Sequence, residues 1–503
     1  MVKQGFDNDK YLQTQSAHIR ERLASFGGKL YLEFGGKLYD DYHASRVLPG
    51  FQPDSKLRML LQLKEQVEMV IAINAADIEK NKVRGDLGIT YDLDVIRLID
   101  IFRGFGLYVS SVVLTRYTPN SQVKAFQSRL ESMGVKVYHH FAIEGYPANV
   151  AHIVSEDGYG SNPYIEVTKP LVVVNGPGPG SGKLATCLSQ LYHENKRGIK
   201  ARYAKFETFP VWNLPLKHPV NIAYESATID LRDVNMIDNF HLEHYGELAV
   251  NYNRDLESFP VLRRIIEKIT GEESEYKSPT DMGVNRVGFA IYDDEAVRFA
   301  ACQEIIRRYL IARCNYKKGS ITEDALERAK LLMDELNLKV NDRDVVQPAL
   351  DYAEKKRNCD RKYENVIAMA IKMPDGAFVT GRSSRRMVAG AAALLNAIKY
   401  LAGLPDELPL ISPEILLAMQ NLKTNILKKD KATLNCEEVL SALTISAATN
   451  PSAKMALDKL TELHGCPAHC TAILSDSDSG IFRDLGIDTT TEPEFSNNNL
   501  YES

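Results

Sequence analysis

The chain lacks any uncharged apolar run long enough to cross a bilayer, and its opening residues, MVKQGFDNDKYLQTQ, hold no signal-peptide core. Both absences point to the cytoplasm. A strong charge of either sign is also missing: 503 residues carry a net charge of only −5. That gives no basic field for phosphate backbones or anionic lipid, so neither nucleic acid nor membrane is expected as a partner. Cysteine is sparse. The seven, at 187, 302, 314, 359, 436, 466 and 470, are odd in number and dispersed, which excludes a disulfide framework and fits reduced thiols. Internal repeats, coiled-coil heptads and low-complexity tracts are absent too. What remains is a chain with 44% hydrophobic residues, able to bury large cores in two to three domains.

The most informative stretch is Leu171 to Glu194, LVVVNGPGPGSGKLATCLSQLYHE. Its four-residue, β-branched-rich opening reads as a strand covered on both faces. Asn175-Gly176-Pro177-Gly178-Pro179-Gly180-Ser181-Gly182-Lys183 follows at once, and a helix opens near Lys183. Alternating glycines permit positive φ and expose N–H groups, while the prolines stiffen the loop. Amides, helix dipole and ammonium can thereby converge on one anion. The loop departs from the strict G-x-x-x-x-G-K-[ST] pattern, with Pro177 in place of a glycine and Leu184 in place of the metal-binding hydroxyl. Nor is the spacing G-x-G-x-x-G. A tight strand-to-helix connection with a solvated lysine is the competing reading.

Around this loop the chain alternates strand and helix. Strands are predicted at 29–34, 67–73, 107–114 and 135–141, with helices at 92–105 and 121–133 between them. Such spacing implies parallel pairing through right-handed crossovers, a doubly wound α/β layer over residues 1–165. A second α/β unit, 166–275, holds the glycine loop, a strand at 202–207 and a further strand at 220–224. Past the latter come Asp230, Asp233 and Asp238; Asp230 and Asp233 are candidates for metal coordination or proton transfer, or else for helix capping. Residues 276–503 form a helix-rich α+β domain with one hairpin, 366–373 and 377–380 about Pro374-Asp375-Gly376. The fold class is therefore α/β, doubly wound with mostly parallel sheets in the N-terminal half, followed by that C-terminal domain.

The hairpin delivers Gly381-Arg382-Ser383-Ser384-Arg385-Arg386 to an alanine-rich helix predicted at 387–401. Arg382, Ser383, Ser384 and Arg385 make a second candidate for an acidic group, against an internal or inter-subunit salt-bridge set. Other polar clusters are weaker. Asp40, Asp41, His43 and Arg46 suit a ligand or a hydrogen-bonded loop. His241-Leu242-Glu243-His244 is not the H-E-x-x-H zinc pattern, and Cys466-Pro467-Ala468-His469-Cys470 has no second ligand pair at zinc-finger spacing, so a strand with buried thiols is expected there.

With FGGKLYDDYHASRVLPGF, INAADIEKNKVRGDLGITYD, GPGPGSGK, ATCLSQLYHE, KFETFPVWNLPLKHPVN, VNMID, VNYNRD and SPTDMGVN in view, the sequence resembles a family of bacterial cytoplasmic proteins of about this length, a domain-of-unknown-function family. The resemblance covers nearly the whole chain. Some members are called ATP-dependent peptidases, which implies an activity class but transfers no site residues.

The leading expectation is an enzyme that binds a nucleotide or another small phosphorylated metabolite at Gly176, Gly178, Gly180, Ser181, Gly182 and Lys183, with ATP or a similar ligand and magnesium as its cofactor class. Lys183 and the loop amides would stabilise a transferring phosphoryl group, or one undergoing hydrolysis, with Asp230 or Asp233 assisting. A hydrolase or peptidase using Ser383 or Ser384 with a lysine is the first alternative. A non-catalytic, homo-oligomeric metabolite-binding protein is the second.

Overall fold

The computed structural model describes residues 3–359, 366–429 and 431–496. They form two compact units, residues 3–301 and the described residues from 302 to 496.

The first unit is built on a six-stranded sheet: β1 (Lys29–Phe34), β2 (Val67–Asn74), β3 (Tyr108–Thr115), β4 (Lys136–His139), β5 (Leu171–Asn175) and β6 (Ala201–Phe206). Its order is β4-β3-β2-β5-β1-β6, and every pair is parallel. The chain steps outward through β2, β3 and β4, returns to insert β5 between β1 and β2, and ends on β6 beyond β1. All six carboxyl ends therefore share one edge, the edge at which open parallel sheets bind ligands. Strands from both 1–165 and 166–275 contribute, so these two segments share a single sheet.

Leu171 to Val174 are fully buried because helices cover both faces of the sheet. On one face the helix Lys183–Lys196 packs Cys187, Leu188 and Leu191 against Tyr31, Val172 and Val174. The helix Asn253–Thr270 joins the same core. Its buried Leu256, Phe259, Leu262, Ile265, Ile266 and Ile269 recur at helical spacing and form one apolar stripe.

One element differs from its sequence expectation. Residues 220–224 are not a strand but lie in the helix Pro219–Ala227. A short apolar run does not distinguish buried strand from helix. Here Pro219 occupies the first turn and the His218 ring accepts from the Val220 amide, so the local start signals favour helix. A small antiparallel ribbon follows, β7 (Asn235–Ile237) with β8 (Val250–Tyr252).

The second unit carries a mixed sheet of β9 (Ala368–Lys372), β10 (Phe378–Arg382), β11 (Pro467–Cys470) and β12 (Asp488–Thr491), in the order β10-β9-β11-β12. β9 runs antiparallel to both neighbours, and β11 pairs parallel with β12. The helix Ala389–Leu401 packs its alanines on the hairpin, and further helices complete an apolar core that includes Cys436, Cys466 and Cys470.

Candidate functional site

Between β5 and its helix, the glycine loop is pinned by its carbonyls. The Asn74 side chain, at the end of β2, donates from Nδ2 to the Gly180 carbonyl at 3.3 Å, and the Thr115 hydroxyl, at the end of β3, donates to that of Ser181 at 2.8 Å. In a trans peptide N–H and C=O point in opposite directions. Turning these two carbonyls toward the sheet therefore turns the amides of Ser181 and Gly182 away from it. The first-turn amides of Lys183, Leu184 and Ala185 have no intrahelical acceptor by construction. Gly182, the cap residue, supplies no side-chain acceptor, and its φ of +90° is in the left-handed region that favours glycine. Among the described residues no carbonyl accepts from these five amides.

Lys183 folds back over the loop: Nζ donates to the Gly178 carbonyl at 3.2 Å and to Ser181 Oγ at 3.3 Å. Burial lowers its pKa; Glu33 and Glu207 oppose that shift, while Lys205 and Arg254 add to it. The ammonium thus sits within electrostatic reach of a charged group at the ends of β1 and β6.

That group is compact. Lys205 Nζ contacts both Asp255 oxygens, at 2.7 and 2.6 Å, and Glu207 Oε1 at 3.2 Å. Arg254 lies 3.5 Å from Asp233 and 3.9 Å from Glu207. Glu33 accepts from the Tyr203 hydroxyl at 2.7 Å. Burial works against the Lys205 ammonium, but Asp255, Glu207 and Glu33 outweigh it and hold its pKa up. Burial also lifts the carboxyl groups of Glu207 and Asp233 above their usual range, against the opposing pull of Lys205 on Glu207 and of Arg254 on Asp233.

Of the residues singled out from sequence, Gly176 to Lys183 and Asp233 come together at this edge. Asp230 does not join the ion pairs; it lies exposed in the 3-10 turn Ile229–Leu231. Arg382, Ser383, Ser384 and Arg385 belong to the other unit. There the Ser383 amide and hydroxyl both meet the Ile367 main chain, at 2.8 and 3.2 Å. Ser384 Oγ accepts from the amides of Arg386 and Met387, each at 3.2 Å, and no lysine hydrogen-bonds either serine among the described residues. The alanine-rich helix begins only at Ala389, so the arginines precede its amino end.

Asp41 caps the helix Tyr42–Val47 and pairs with buried Lys56 at 2.6 Å, a structural role. His241 Nδ1 lies 3.0 Å from Ser278 Oγ, and His469 Nδ1 lies 2.9 Å from Thr490 Oγ1. Among the described residues no three His, Cys, Asp or Glu side chains are grouped to hold a metal ion.

Sequence reasoning overlooked Glu33, Lys205 and Glu207, whereas the polar run 250–255, which holds Arg254 and Asp255, reads from sequence as suited to contacting a ligand or closing a domain interface. The available signal was position: Glu33, Lys205 and Glu207 stand at the carboxyl ends of strands, and Arg254-Asp255 opens the long helix packed behind them.

The family described as "Domain of unknown function DUF1846" matches the chain with its N-terminal domain over residues 4–337 and its C-terminal domain over residues 341–501. A "UPF0371 protein" of Clostridium botulinum strain Langeland is 59% identical over 497 residues, covering 99% of each chain. One of Clostridium tetani is 58% identical over 500 residues, again 99% of each. One of Clostridioides difficile is 57% identical over 502 residues, covering each chain fully.

Proposed function

We propose that this chain, which belongs to the DUF1846 family, is an enzyme that binds a small phosphorylated molecule at Gly176–Lys183 and carries out phosphoryl transfer or hydrolysis on it. The observation that supports this most directly is the anchoring of the Gly180 and Ser181 carbonyls by Asn74 and Thr115, which turns consecutive amides away from the sheet at the amino end of a helix. Preorganised donors of this kind hold an anion without reorganisation when charge develops on it. Lys183 adds a cation beside the same amides. Glu207, whose carboxyl is held toward its protonated form, is the proton-transfer group within electrostatic reach.

Titration calorimetry with inorganic phosphate and ATP tests the reading. Wild-type protein should bind at least one of them, and Lys183→Ala should weaken that binding at least tenfold with an unchanged unfolding midpoint. Undiminished affinity in Lys183→Ala, or no affinity in the wild type, would refute it.

A further inference from the structure

The second unit leaves one helix face uncovered. The helix Pro413–Asn421 runs on through a π-helical turn, Leu422–Ile426, and ends at Leu427. One side of it is held by its own unit. Leu416 is buried, Ile415 and Met419 pack on the apolar core, and the Lys423 ammonium donates to Glu438 and to the Thr433 carbonyl, each at 2.7 Å. The other side is open and apolar: Leu417 is 65% exposed, Leu422 46%, Ile426 70% and Leu427 59%, with exposed Ala418 among them. Helical spacing puts 414, 417, 418 and 421 on one face, and the wider π turn swings Ile426 back onto it. Single exposed leucines are ordinary on a protein surface; several large apolar side chains on one helix face mark a contact surface.

Charge frames this face. Glu414 stands at its amino end, and Lys428 and Lys429 follow its carboxyl end, where Lys428 takes a φ of +54° as the chain leaves the helix. All three are exposed, and none enters an ion pair among the described residues. Each suits the dipole of its own helix. The dipole does not account for the apolar stripe between them.

We infer that this face pairs with the same face of a second copy of the chain, the two helices running antiparallel about a two-fold axis between Asn421 and Leu422. Leu417 and Ile426 are equally far from that point along the chain, and so are Glu414 and Lys429. A single axis therefore sets apolar against apolar and acid against base in both halves of the contact, the self-complementarity that a two-fold interface requires. Asn421, next to the axis, brings both a donor and an acceptor to its counterpart. A lipid surface fits less well, because a helix lying on a membrane carries lysine and arginine along its polar side, whereas Glu414 stands on this face and Lys423 is tied to Glu438. One helix face is smaller than the roughly 800 Å² per partner of a standard interface, so the association should be reversible at micromolar concentration.

Sedimentation velocity on the full chain over the micromolar range tests this. The wild type should pass from the 56.4 kDa monomer to a species of twice that mass as concentration rises. Leu417→Glu combined with Ile426→Glu should remain monomeric throughout with an unchanged far-ultraviolet circular dichroism spectrum, since both side chains are on the surface. Glu414→Lys should weaken the dimer about fivefold or more, because it turns two attractive contacts into repulsive ones, and adding Lys429→Glu should restore it. The restoration reports the antiparallel register itself and does not depend on the double-glutamate variant folding. A wild type that stays monomeric, a dimer that survives Leu417→Glu with Ile426→Glu, or a charge exchange that leaves association as weak as in Glu414→Lys would each overturn the pairing.

Discussion

The Thr115 hydroxyl donates to the Ser181 carbonyl at 2.8 Å across 66 residues of sequence, tying the end of one strand to the loop that follows another. This bond turns a flexible glycine segment into a set of fixed amide donors. Thr115→Val keeps the β-branched shape and deletes the donor. It should cost about 1 kcal/mol of stability, the worth of one hydrogen bond, and weaken phosphate binding by roughly tenfold (about 1.4 kcal/mol). Chemical denaturation and calorimetry on the same preparation measure both.

The loop glycines should differ in what they tolerate. At Gly182, φ is +90° and an added Cβ would stand 2.7 Å from Thr115 Oγ1, whereas at Gly180, φ is +75° and an added Cβ meets nothing within 4 Å. Gly182→Ala combines backbone strain with a collision against a strand, for an expected loss of about 3 kcal/mol. Gly180→Ala meets only the left-handed backbone cost, about 1 kcal/mol. Comparable losses in urea denaturation would contradict this ordering.

Lys205 and Asp255 are a largely buried pair, with side chains 17% and 14% exposed. Lys205→Met removes the cation and leaves Asp255 and Glu207 facing one another, an expected loss of about 3 kcal/mol. Lys205→Met with Asp255→Leu should recover much of it, because an apolar pair has no charge to desolvate. A double-mutant cycle measures the coupling.

His140, 3% exposed and with no hydrogen-bond partner at Nε2 among the described residues, has its pKa pushed down to about 4 by burial and then by the nearby charge of His193. Its unfolded pKa is near the ordinary histidine value of about 6.5. Above that pH the imidazole is neutral in both states and costs nothing. As the pH falls from about 6.5 to about 4 the unfolded chain takes up the proton first, so stability declines by up to about 3 kcal/mol. Denaturation midpoints from pH 7.5 to pH 4.5 should fall more steeply for the wild type than for His140→Gln.

The strands of the first sheet were legible because each is a short apolar run bounded by helical periodicity. All six stand within a residue or two of where pattern alone puts them, and β2 begins at the expected Val67. Residues 220–224 misled because five apolar-rich residues satisfy either period, and the proline and histidine that start the helix lie just before them. Lys183 was legible from its place in a strand–loop–helix sequence. Glu207 was not. Nothing local separates a charged residue at a strand end from one on a solvated surface.

The sequence by itself determined the elements, the glycine-rich break after Val174 and the lysine at the head of the helix, since those depend on propensity and periodicity within a few residues. Strand order was decided only by the tertiary structure. The insertion of β5 beside β1 brings Glu33, Lys183, Lys205 and Glu207 to one edge, and the ends of β2 and β3 place Asn74 and Thr115 under the loop carbonyls. Which groups meet at that edge follows from packing between strands distant in the chain.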